Sequence, residues 1–160
     1  EISRLCDHLV VLDEGRVAAS GELSTVLARV DVPALGGRTA GVILWATPVD
    51  HEDGLTRFDF GDGDIWVPGE IEISSIPMRL RIAAHDVSIV RERPSGTTIL
   101  NVLRATIEEI HDADAATATV RLGVGNQDLL AQVTRRSVQR LELKPGERVF
   151  AQVKSVTVRH

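Results

Sequence analysis

The residues L-R-I-A-A-H-D-V-S-I-V at 80–90 lie over V-F-A-Q-V-K-S-V-T-V-R at 149–159 one for one, and this internal repeat restricts the fold more than any other feature. In the second copy Val149, Ala151 and Val153 alternate as one face of a strand, and Val156 and Val158 then belong to the other face. The slip falls on Lys154-Ser155, and in the first copy on His85-Asp86. Upstream, F-D-F-G-D-G-D-I-W-V (58–67) matches V-R-L-G-V-G-N-Q-D-L-L-A (120–131) once two residues are inserted. Each copy reads strand, glycine turn, strand, connection, long strand, and strands recur at roughly 8 to 12 residues. The expectation is a mainly β chain with two tandem small barrels of the five-stranded OB type. The shared slip is expected to be a β-bulge that bends the strand and re-aims a side chain.

Composition narrows the function. The 160 residues are 43% hydrophobic, enough for a core, and no apolar run approaches the roughly 18 to 20 residues of a membrane span. One cysteine, Cys6, excludes an internal disulfide framework and fits a reducing, cytoplasmic setting. A net charge of -5 with only 3% aromatic residues opposes nucleic-acid binding, which wants a basic groove and stacking rings. The five histidines have no partner at ligand spacing, and His51-Glu52-Asp53 precedes Gly54 in what reads as a solvated hairpin turn, so no metal site is expected. No phosphate loop, nucleophile elbow or paired nucleophile and base occurs, so no catalytic residue is expected either.

The two copies differ in chemistry where they slip. His85-Asp86 puts a carboxylate at the bend, whereas Lys154-Ser155 offers a cation and a hydroxyl donor. The second copy also holds T-R-R-S-V-Q-R-L-E-L-K-P-G (134–146), a short helix with Thr134 as N-cap and Ser137 three residues on. Backbone N–H groups and hydroxyls at such a start favour an oxyanion, which accepts hydrogen bonds and tolerates no nearby carboxylate. An acidic chain can therefore still carry one local oxyanion site.

The first 30 residues read as part of something larger. Ile2, Leu5 and Cys6 have helical spacing, H-L-V-V-L-D-E-G-R-V-A-A-S-G reads as a hairpin around Asp13-Glu14-Gly15, and Leu23, Val26 and Leu27 fall on one face of a short helix. The run D-H-L-V-V-L-D-E-G-R-V-A-A-S-G-E-L-S-T-V-L resembles the end of the nucleotide-binding domain of an ABC transporter ATPase, just after its switch histidine. That resemblance implies a truncated ATPase domain whose phosphate loop, signature motif, Walker B carboxylates and switch histidine lie outside the fragment. ATP and Mg would belong to the missing parent domain, and the fragment itself would be no enzyme and carry no cofactor.

The later runs A-A-H-D-V-S-I-V-R-E-R-P-S-G-T-T-I-L-N-V-L-R-A-T-I and A-Q-V-T-R-R-S-V-Q-R-L-E-L-K-P-G-E-R-V-F-A-Q-V-K-S-V-T-V are similar to the accessory domain of the ATP-binding subunits of molybdate ABC importers. There the second copy corresponds to a Mop, or TOBE-type, module. The resemblance implies an ATPase remnant at 1–30, a linker at 31–40, a degenerate first OB-like copy at 41–93 and a Mop/TOBE oxyanion-binding module at 94–160. It further implies molybdate or tungstate held between the subunits of a homodimer, permease subunits as partners, and contact with the membrane only through the permease. By position the ligand-binding residues would be Thr98 and Asn101, Thr134 and Ser137, and Lys154 and Ser155, with the middle pair supplied by the partner chain. Where the family often has arginine this chain has Leu100, which weakens an anion site unless Arg135, Arg136 or Arg104 reaches in. The implied function is regulatory, with cytoplasmic oxyanion modulating transport. A purely structural dimerisation scaffold, or the accessory domain of a sulfate, sugar or polyamine importer, are the alternatives.

Overall fold

A computed structural model describes residues 6–32, 35 and 40–159. Strands β1 (His8–Asp13) and β2 (Arg16–Glu22) form the expected hairpin, turning at Glu14 (φ 48°) and Gly15 (φ 77°), the left-handed pair a two-residue hairpin loop requires. Helix α1 (Leu23–Leu27) follows at once and buries Leu23 and Val26; Val26 joins Val11, Ala19 and Val32 in a small core. The hairpin's other face leaves Val10, Leu12 and Val17 exposed. The helical spacing of Ile2 and Leu5 and most of the 31–40 linker lie outside the described residues.

The remaining strands are β3 (Gly41–Glu52), β4 (Leu55–Asp59), β5 (Asp64–Pro68), β6 (Met78–Ala83), β7 (Val87–Val90), β8 (Asn101–Asp112), β9 (Thr117–Val124), β10 (Gln127–Thr134), β11 (Arg148–Val153) and β12 (Thr157–Arg159), with helix α2 (Arg135–Arg140) after β10. They make two curled five-stranded sheets, ordered β12-β6-β3-β4-β5 and β7-β11-β8-β9-β10. Position by position the two orders are the same, so the repeat seen in the sequence is a repeat in space. The chain is mainly β, with OB-like half-barrels as expected.

Each sheet takes one strand from the other copy. β7 continues the long strand of the first copy but pairs with β11, and β12 continues the second copy but pairs with β6. The slips at His85-Asp86 and Lys154-Ser155 are therefore not bulges. They are crossings: a 3-10 turn at Ala84–Asp86 and an irregular step at 154–156 carry the chain from one sheet to the other. The change of apolar face follows, because Leu80 and Ile82 fill the core from one sheet and Val87 and Ile89 fill it from the other. The crossings touch, with Val153 paired to Val87 and the Lys154 N–H donating to the Asp86 carbonyl at 2.9 Å. True bulges do occur, at Val49 in β3 and Glu108 in β8, each where the long strand pairs with the strand that follows it.

One contiguous core spans both sheets, built from Leu44, Phe58, Ile65, Leu80 and Ile82 on one side and Ile107, Val120, Leu122, Leu129 and Ala151 on the other. The tips of the β4–β5 and β9–β10 hairpins also meet. Gly125 (φ 61°) lies under Asp62 so closely that a Cβ there would overlap the carboxylate. Two side-chain amides stitch the copies together. Gln127 accepts from the Trp45 N–H at 2.7 Å and donates to the Trp45 carbonyl at 2.9 Å, while Asn101 makes the same pair with Trp66, at 2.7 and 2.9 Å.

Candidate oxyanion site

Lys154 and Ser155 are exposed at the crossing between β11 and β12, and among the described residues the Lys154 ammonium has no ion pair or side-chain hydrogen bond. Val153 pairs with Asn101, so Lys154 leaves the sheet beside Leu100, where the 91–100 loop enters β8. That loop is tied to β11 through Thr97, whose hydroxyl accepts from the Ile99 N–H at 3.1 Å and from Gln152 Nε2 at 3.3 Å. The fold thus brings the Thr98 segment and the Lys154-Ser155 pair to the same end of the second sheet, with Thr98 exposed.

Asn101 does something different from the expected ligand role. It is buried, and its amide is committed on both sides to the backbone of Trp66 on the edge strand β5. An edge strand has unpaired N–H and C=O groups, and this side chain satisfies one of each. Asp86 also bears on the site. Its carbonyl accepts the Lys154 N–H, and its carboxylate lies 4.0 Å from His85 Nε2. An acidic residue therefore adjoins the Lys154 backbone at the crossing, with its carboxylate beside His85.

Thr134 and Ser137 form the expected cap. Thr134 is extended (φ -75°, ψ 145°), its hydroxyl accepts from the Ser137 N–H at 3.0 Å, and the two hydroxyls stand 2.8 Å apart. The start of α2 is braced from below, because the Arg135 N–H donates to the Ala116 carbonyl within the turn that Asp114 organises. Asp114 accepts from the Thr117 hydroxyl and from the N–H groups of Ala116 and Thr117, which holds its carboxyl below the usual range, helped by Arg135 nearby. In the sheet, Thr134 pairs with Thr117, one step from the pairing of Ala118 with Asp112 at the far end of β8. Asn101 begins that strand. Eleven steps of strand separate the ends, about 35 Å of contour at 3.3 Å per residue, so one chain does not bring the Thr134–Ser137 pair to Lys154 along the sheet.

The cation absent at position 100 has neighbours. Leu100 is exposed and lines a cavity of 390 Å³ with Arg93 and Arg104, beside Asp62, Asp64 and Trp66. Arg135, by contrast, is paired with Asp112 at 3.1 Å, and Arg136 is exposed on α2. Nothing local in the sequence marks Arg93; only the path of the loop puts it next to residue 100.

Comparison with known proteins agrees with this architecture. Residues 97–159 match the TOBE domain. Over 99% of its length the chain is 40% identical to the molybdenum import ATP-binding protein ModC 1 of Azotobacter vinelandii and 42% identical to ModC of Thiobacillus denitrificans, of which it spans 45% and 44%. Among solved structures, the cytoplasmic molybdate-binding protein ModG, in a form with molybdate bound, superposes with a TM-score of 0.65 over 73% of this chain and 94% of that one, at 19% identity, which is a likeness of fold. With a TOBE domain inside a match that runs nearly the length of this chain and somewhat less than half of each ModC, the chain is similar to that part of the molybdenum import ATP-binding proteins.

Proposed function

We propose that this chain is the regulatory and dimerisation part of the ATP-binding subunit of a molybdate or tungstate ABC importer, taking up cytoplasmic oxyanion at the interface between two copies. In this reading residues 1–30 belong to the nucleotide-binding domain, 31–40 link it to the accessory region, 41–93 are the degenerate copy and 94–160 the oxyanion-binding module. The observation that carries the proposal is the placement of donors at opposite ends of one sheet. Lys154, Ser155 and Thr98 lie at one end and the Thr134–Ser137 cap at the other, so a full set needs a second molecule to bring its cap to the first molecule's lysine. A site divided in this way favours the arrangement of subunits that closes it, which is what a ligand needs in order to shift an equilibrium. Permease subunits are then reached through the ATPase domain, and no helix among the described residues is long and apolar enough to cross a membrane.

Two features support a second reading, a dimerisation scaffold without ligand: the exposed Leu100 in place of a cation, and Asp86 beside the Lys154 backbone. Calorimetric titration with molybdate separates the two. Binding by the wild type that weakens at least about tenfold in Lys154→Ala, the loss of one charge-assisted contact, supports the sensor. Absence of binding in the wild type, together with its appearance in Leu100→Arg, would establish the scaffold instead.

A further inference from the structure

The outer face of the second sheet brings three arginines, Arg91, Arg104 and Arg148, around one groove. In register, Phe150 of β11 stands opposite Arg104 of β8, and Arg148 opposite Thr106, so Arg104 and Arg148 are diagonal neighbours on one face, about 7 to 8 Å apart at their roots. Arg91, just past β7, closes the side. These residues line a groove of 510 Å³ together with Gly123 and Gly125. Gly123 pairs with Thr106, and the place a side chain would take there is filled by Glu108, which borders the groove along β9.

Its charges are not mutually cancelled. Arg91 is paired with Glu147 at 2.5 Å, and Glu147 also accepts from the Lys144 N–H, so that carboxylate is occupied. Glu108, which leans over Gly123, is paired with Arg121, a guanidinium it shares with Glu109 at 3.5 Å and Asp128 at 3.7 Å. Asp62, over Gly125, is the remaining carboxylate at the rim. Arg104 and Arg148 have no ion pair or hydrogen bond among the described residues, and two like charges as diagonal neighbours oppose each other unless an anion lies between them. Guanidinium groups present paired N–H donors that suit phosphate oxygens, and the half-buried Phe150 ring offers an apolar, flat surface beside them.

We propose that this groove is a separate anion site for a phosphate ester bearing a planar ring, of the nucleoside diphosphate class. Arg104 and Arg148 take the phosphate oxygens, the Thr106 hydroxyl adds a donor, and the ring lies against Phe150. The groove shares Arg104 with the cavity beside Leu100 but contains neither Lys154 nor Ser155, and Arg148 and Phe150 belong to it alone. The test is calorimetric titration of the full chain with ADP and with inorganic pyrophosphate. Saturable binding of ADP is expected, weakening as salt is raised, falling at least about tenfold in Arg104→Ala and in Arg148→Ala, and unchanged in Lys154→Ala. Both arginines are exposed and unpartnered, so thermal unfolding of these variants should match the wild type. No saturable binding of either probe, or binding unaltered by both arginine substitutions, overturns the site. Pyrophosphate binding as tightly as ADP overturns the role given to Phe150.

Discussion

Replacing Asn101 with alanine separates a structural role from a ligand role. The side chain satisfies one N–H and one C=O of Trp66 at 2.7 and 2.9 Å, in a partly buried setting, and nothing else among the described residues takes their place. Leaving a buried polar group unpaired costs about 1 to 3 kcal/mol, and partial access of water at the β5 edge reduces that, so the pair should be worth about 2 to 3 kcal/mol. For a domain of this size that corresponds to a fall in Tm of about 4 to 12 °C. Urea unfolding followed by tryptophan fluorescence, without any oxyanion present, reads the effect directly because Trp66 is the residue released. A variant within about 0.5 kcal/mol of wild type would refute the argument and return Asn101 to the candidate ligands. Lys154→Ala is the matched control, exposed and unpartnered, and should leave the stability of the ligand-free chain unchanged.

Three further outcomes follow from local geometry. Gly125→Ala meets both a left-handed backbone and the Asp62 side chain, and should cost about 2 to 3 kcal/mol by chemical denaturation; adding Asp62→Gly should recover the part due to overlap and not the part due to φ. Thr134→Ala removes the cap of α2 and should cost about 1 kcal/mol, with faster amide exchange at Ser137, whereas Thr134→Ser should restore both. Asp114 has a carboxyl held below its usual 3.8, so the turn at 113–117 should be fully formed above that pH and loosen only as pH falls through the lowered value; amide shifts of Ala116 and Thr117 tracked by NMR from neutral to acid should move together, and movement centred above 3.8 would contradict the hydrogen-bond pattern.

What could be read from the sequence was what depends on neighbours in the chain. The hairpin at Asp13-Glu14-Gly15, the Thr134 cap and the two-copy plan all rest on spacings of a few residues, and the structure has each of them. The crossings could be read only in part. Alternation reports that Val156 and Val158 change face relative to Val153, but a bulge and a passage into a second sheet give the same pattern; the choice depends on a partner strand far away in the chain. Asn101 has the same ambiguity. Its amide donors suit an oxyanion and a strand edge equally well, and Trp66 lies 35 residues earlier. The bulges at Val49 and Glu108 left no trace, since each adds one half-exposed or exposed residue to a long strand without interrupting its apolar face.

The exchanged strands set an order of events during synthesis. β6 is made well before β12, which covers its free edge, so the first sheet emerging from a ribosome carries an open row of backbone donors and acceptors until the second copy is complete. Synthesis of β12, rather than completion of the first copy, is therefore the earliest moment at which the first sheet can close, and a nascent chain stalled between the copies should be a substrate for chaperones and a seed for misplaced strand pairing.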